Sequence, residues 1–152
     1  MEFAVRALAT VRASRTDLLD DGWDEVTAVV ELNDDIPSDA LQGLTEFSHV
    51  EIFLVADRAT DVPPGPWVRH PRGRKDWPEV GIFVQRNKDR PNRLLATVVE
   101  IVDVGERAVT VRGLDAVDGT PVVDIKPWFR WSGPRGDVRA APWSDELGSR
   151  YY

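Results

Sequence analysis

Arg69, Arg72, Arg74 and Lys75 place four cations within seven residues, a density suited to phosphate groups. The wider segment from Trp67 to Arg93 adds Arg86, Lys88, Arg90 and Arg93 against only Asp76, Glu79 and Asp89, for a local charge of +5. The whole chain carries −7, so the remainder is −12. Phosphate binding follows the local field rather than the total, although a solvated basic loop is the plainer account of the same residues. Further along, three carboxylates (Asp115, Asp118 and Asp124) fall close together. Asp118 precedes Gly119, a dipeptide that makes tight turns because glycine takes positive φ without steric cost. Asp124 alternates with Val123 and Ile125, so it faces away from them and can accept from Lys126 or backbone. Asn92, at the rigid corner after Pro91, offers an amide that suits adenine recognition or the tying of a turn. His49 lies in an apolar run and reads as a hydrogen-bonded core histidine.

Several chemistries are excluded by composition. There is no cysteine, so disulfides, thiolate catalysis and cysteine-based zinc sites are ruled out. Two histidines, His49 and His70, make a histidine-rich metal site a poor account, and no metal is expected. No G-x-G-x-x-G and no P-loop is present, which argues against a Rossmann-type nucleotide site. A chain of 152 residues suffices for one domain with a real core. No stretch approaches a membrane span, and no signal-peptide pattern opens the chain. The expectation is a soluble cytoplasmic protein.

The elements that must position these residues are mostly strands. Phe3–Ala13, Glu25–Asn33, Ser48–Asp57, Val80–Arg86, Leu94–Val104, Arg107–Leu114 and Pro121–Ile125 show β-type composition or alternation. Ser14–Asp24 is an acidic connector turning at Asp20-Asp21-Gly22. Ser38 is a candidate N-cap for a short helix over Ala40–Leu44. The proline-rich stretch Asp61–Pro66 reads as a loop, and Gly105-Glu106 as a hairpin turn. Six tryptophans (Trp23, Trp67, Trp77, Trp128, Trp131 and Trp143) cluster near loops and suit either core capping or base stacking. Many strands with short connections predict an all-β fold, an antiparallel sandwich or barrel. The domain is expected over 1–135, with an irregular C-terminal extension over 136–152.

Two segments carry a more specific signal: Val80–Asn92, VGIFVQRNKDRPN, and Leu114–Trp128, LDAVDGTPVVDIKPW. They resemble the VG-x-FATRS-x-x-RPNPIG-[LM]-S and LDLLDGTPVLDIKPY segments of the TsaA-like family, the small β-barrel tRNA methyltransferases typified by TrmO. Gly43–His49 resembles its GLEGFSHLW, and Val68–Arg72 its VRPPR. The resemblance covers most of Leu41–Trp128. It implies a small antiparallel β-barrel, a homodimer, and S-adenosyl-L-methionine as cofactor. On the matching positions, cofactor contacts are expected at Arg86, Ala96, Asp115, Ala116, Val117 and Asp118. A guanidinium at Arg86 matches the cofactor's carboxylate; a salt bridge from Arg86 to an aspartate of the DGT turn is the structural alternative. A transfer to an exocyclic amine must end with loss of a proton, and Asp115, Asp118 and Asp124 all remain candidates to receive it.

The sequence also departs from the family. Ser14–Asp24 carries no PRQPG-type loop, Asp57 stands where the family has a histidine, and Pro91–Thr97 lacks the PIG of PNPIGLS. The resemblance implies N6-methylation of a modified adenosine beside the tRNA anticodon, with Arg69, Arg72, Arg74, Lys75 and Asn92 contacting RNA. A methyltransferase redirected to a small molecule and a non-catalytic ligand- or RNA-binding barrel are the alternatives.

Overall fold

The computed structural model describes residues 1–59 and 66–152; the expected loop at Asp61–Pro66 lies almost wholly outside them. Among the described residues eight strands form: β1 (Ala9–Ala13), β2 (Thr27–Leu32), β3 (His49–Val55), β4 (Val68–Arg69), β5 (Val80–Gly81), β6 (Leu94–Val104), β7 (Ala108–Arg112) and β8 (Pro121–Pro127). Six of them close an antiparallel barrel in the order β1-β2-β7-β6-β3-β8, and β4 pairs with β5 in a separate two-stranded sheet. The all-β barrel expected from the sequence is the observed fold.

Alternation explains which way each strand faces. In β3, Val50, Ile52 and Leu54 are fully buried while His49, Glu51, Phe53 and Val55 point outward. Val11, Val30, Val109, Val111 and Val122 fill the same interior from the other strands. On β6 the inward set is Leu95, Thr97, Val99 and Ile101. Thr97 is thus a hydroxyl on the barrel's inner face, where an unpaired polar group is costly.

Four expectations need correction. The strand expected over Val80–Arg86 stops at Gly81 and becomes a 3-10 turn over Ile82–Val84. Its partner β4 lies between Pro66 and Pro71, and proline gives no N–H to a ladder, so among the described residues Phe83 and Val84 have no edge to join. Ser38 does not cap its helix; Pro37 holds the cap position, no side chain caps it, and two 3-10 turns (Ser38–Leu41 and Leu44–Glu46) replace the helix. The first strand begins at Ala9, not Phe3. His49 is exposed at the start of β3 and bonds the Ser48 hydroxyl at 2.8 Å, so it is no core histidine.

Past Trp128 the chain is irregular as far as Ala141, and a fifth expectation is then corrected: in place of an irregular extension over 136–152, Pro142–Tyr151 form helix α1. Pro142 stands in the first turn, Asp145 near the N-terminus and Arg150 in the last turn, all favoured there. None of its residues is buried. The tryptophans divide: Trp23 and Trp77 are buried outside the main core cluster, whereas Trp67 and Trp131 are exposed.

Candidate functional site

Leu114, fully buried, anchors the turn that carries the expected cofactor residues. Ala116 and Val117 are also buried. The turn is then laced to the end of β1. Asp118 N–H donates to the Arg15 carbonyl at 2.9 Å, Gly119 N–H to the Val11 carbonyl at 2.8 Å, and Ala13 N–H to Asp118 Oδ1 at 3.1 Å. Gly119 takes φ +81°, as Asp-Gly predicts. A Cβ there would come within 2.9 Å of Arg58 Nη2, so this exposed guanidinium lies over the turn. No feature of the sequence marked Arg58.

Asp115 is the chemically distinctive member. The Thr97 hydroxyl donates to its Oδ1, and the Tyr151 hydroxyl donates to Oδ2 at 2.5 Å. Burial pushes the Asp115 carboxyl above the ordinary carboxylate range, opposed by those two hydroxyl bonds and by the nearby Arg86 charge. Burial and the Asp115 charge likewise raise the Tyr151 phenol, so it stays a donor. Arg86 is exposed and donates from Nη2 to the Ala96 carbonyl at 2.6 Å. The bonds of Arg86 to the Ala96 carbonyl and of Asp115 to the Thr97 hydroxyl bring Arg86, Ala96 and Asp115 to one place, followed in the turn by the buried Ala116 and Val117. The alternative salt bridge from Arg86 to the DGT turn does not form. Neither Thr97 nor Tyr151 was singled out from the sequence; the alternation along β6 is the signal that could have turned Thr97 inward, and Tyr151 left none.

The other candidate carboxylates are committed. Asp118 holds β1, and Asp124 accepts from Ile125 N–H at 2.9 Å and from Lys126, the role expected for it. Asn92 is exposed, and among the described residues its side chain makes no hydrogen bond; the corner is closed by Arg93 N–H on the Arg90 carbonyl at 3.0 Å. Among the described residues, the buried side-chain polar atoms without a partner are Asn87 Oδ1 and Asp89 Oδ1, in the segment leaving Arg86.

The basic segment is largely answered from within. Arg72 forks onto Asp21 at 2.6 and 3.0 Å, Lys88 reaches Asp20 at 2.8 Å, and Arg69 lies 3.7 Å from Asp89. Arg74 bonds Asp76 and, at 2.8 Å, Glu146 of α1. Lys75 is exposed and has no ion pair among the described residues. The acidic connector Ser14–Asp24 is thus the partner of the basic loop. Arg15 organises it, stacking 3.6 Å over Trp23 and donating to the Leu19, Asp21 and Gly22 carbonyls.

Asp115→Asn tests whether this carboxylate is held at a cost. Its folded pKa lies above the unfolded value of about 3.9, so the folded state binds the proton more tightly. That contribution to stability is fully present below the unfolded pKa and is lost as pH rises through the folded one. Asp115→Asn should therefore gain on the parent as pH rises from about 4 towards neutrality. Urea midpoints across that range measure it; a constant difference would refute the assignment.

Residues 17–132 match the family described as the tRNA-methyltransferase O N-terminal domain, and the chain belongs to it. A tRNA (adenine(37)-N6)-methyltransferase of Escherichia coli is 35% identical over 108 residues, covering 68% of this chain and 46% of the relative. The mouse tRNA (adenine(37)-N6)-methyltransferase is 38% identical over 93 residues, 61% of this chain and 21% of its own length. The barrel superposes on the crystal structure of TrmO from Pseudomonas aeruginosa with a TM-score of 0.74 at 23% identity, covering 94% of this chain and 62% of that one. The chain spans about half or less of the curated relatives cited. Among the described residues no helix is long and apolar enough to cross a membrane, and no acid or histidine cluster could hold a metal.

Proposed function

We propose that this protein is an S-adenosyl-L-methionine-dependent methyltransferase acting on N6 of an adenosine next to the tRNA anticodon, working in the cytoplasm as a homodimer. The observation that carries the reading is that Arg86 and Asp115, one from each of the two segments that match the family, meet at β6, Arg86 on the Ala96 carbonyl and Asp115 on the neighbouring Thr97 hydroxyl. This donor set fits the cofactor. Exposed Arg86 matches a carboxylate, Asp115 accepts from hydroxyl or amino groups, and carbonyls and carboxylates favour a sulfonium. When bound, the cofactor supplies a methyl group: its carbon–sulfur bond breaks as the bond to nitrogen forms, and one proton leaves the nitrogen.

The chain's residues orient and accept. Ala116 and Val117 are buried in the turn, and Asp118 attaches it to β1, which restrains Asp115. Of the three candidate carboxylates, Asp115 alone has hydroxyls as both partners, a setting suited to holding a ligand hydroxyl or amine, and burial raises its pKa. Calorimetry with S-adenosylmethionine, then transfer of labelled methyl to tRNA with digestion to nucleosides, tests this. Failure to bind the cofactor would leave a non-catalytic module.

Arg69, Arg72, Arg74, Lys75 and Asn92 remain the proposed RNA contacts, and their ion pairs limit the field they offer. The slope of log K against log salt is about 0.7 per phosphate neutralised on single strands. With Lys75 the one of the four cations free of ion pairs among the described residues, a shallow slope of about one to two such contacts is expected. Lys75→Ala should remove about 0.7 of it. Cofactor binding without any tRNA binding would favour a small-molecule substrate, the second reading that these ion pairs support.

Dimerisation is supported by the outward row Leu94, Val98 and Val102 on β6, each more than two-fifths exposed. Light scattering should give twice the 17.0 kDa chain mass; a monomer at micromolar concentration rejects it.

A further inference from the structure

Helix α1 has no buried residue, and ten residues are too few for a helix to persist alone in water. Its docking contacts therefore decide whether it stays folded. Three are present. Trp143 lies against Trp77 with ring centroids 6.0 Å apart. Glu146 accepts from Trp77 Nε1 at 2.9 Å and from Arg74 Nη1 at 2.8 Å. At the C-terminal end, the Tyr151 carbonyl accepts from Trp23 N–H at 3.1 Å and its hydroxyl donates to Asp115 Oδ2.

The two hydroxyls on Asp115 are not equivalent. Thr97 comes from the wall of the barrel and cannot leave without breaking β6. Tyr151 comes from an element held by edge contacts alone. A carboxylate left half-buried needs a replacement donor when that phenol departs. A ribose hydroxyl or an adenine amine is the kind of group that supplies one.

We propose that α1 is a displaceable strap whose Tyr151 hydroxyl occupies the place at Asp115 that a nucleoside donor of the ligand must take, so that helix docking and ligand binding compete. The proposal rests on the reading of Asp115 as a cofactor-binding residue. The measured affinity is then the intrinsic one reduced by the open fraction. Anything that loosens α1 raises affinity until the strap is mostly open.

The test uses the full chain and S-adenosylmethionine, with calorimetry for affinity and amide hydrogen exchange for the helix. Tyr151→Phe keeps the ring and loses the hydroxyl; it should bind on the order of tenfold tighter than the parent. Glu146→Gln weakens the anchor at Arg74 and Trp77, far from Asp115 in the helix, and should tighten binding severalfold in the same direction. In the parent, exchange of the α1 amides should rise on saturation with ligand, the reverse of ordinary ligand protection. Equal affinities in all three proteins, weaker binding by Tyr151→Phe, or unchanged exchange in α1 would each overturn the strap while leaving the cofactor reading intact. No binding by any of them would overturn both.

Discussion

Arg86→Ala should weaken S-adenosylmethionine binding by about 1.5–3 kcal/mol, the range for losing a hydrogen bond to a charged group. The side chain is exposed, so its removal opens no core cavity, and one bond to the Ala96 carbonyl is the structural contact it gives up. The fold should therefore survive, and affinity should carry the effect. Arg86→Lys separates charge from geometry: a lysine keeps the point charge and loses the planar fork. It should recover part of the loss. An Arg86→Ala protein with parental thermal stability and unchanged calorimetric affinity would remove Arg86 from the cofactor site. A second consequence follows from its charge, which draws the Asp115 pKa downward. Without Arg86 the carboxyl should titrate higher still.

How much of this was legible follows from the reach of each interaction. The bounds of β6, Leu94 to Val104, are those read from the sequence, because eleven residues of alternation ending at Gly105 leave little freedom. The Asp118-Gly119 turn was equally plain, since its chemistry is local. Val80–Arg86 misled because strand composition cannot reveal that the partner edge is two residues long. The basic segment misled for a related reason. Arg72 and its partner Asp21 are separated by 51 positions, so a local charge count sees a free cation where the fold makes an ion pair. The site itself was half legible. Arg86, Ala96 and Asp115 stand in recognisable segments, whereas Arg58 and Tyr151 reach the turn only through the fold. Thr97 was passed over in the sequence; its inward register emerges only with the barrel, where its hydroxyl meets Asp115.

Leu114→Ala should cost about 2–5 kcal/mol of folding stability, and towards the top of that range. Leu114 is fully accessible to nothing but the core, with no exposed surface, and it belongs to the cluster formed by Val11, Ile52, Leu54 and Val122. The cost of such a truncation depends on how far the surroundings collapse into the space left behind. Here the wall is a closed six-stranded barrel whose strands are hydrogen-bonded around the circumference, so no single strand can move inward without breaking its neighbours' ladders. The cavity should persist. Leu114 also immediately precedes Asp115, so the same change loosens the turn that positions the carboxylate. Urea unfolding should show a lower midpoint with an unchanged slope, since the surface exposed on unfolding is nearly the same. Ile125→Ala, at a partly buried position on β8, should cost less. A loss below about 1 kcal/mol for Leu114→Ala would mean that the turn is not anchored by the barrel core, and the rigid positioning of Asp115 would lose its physical basis.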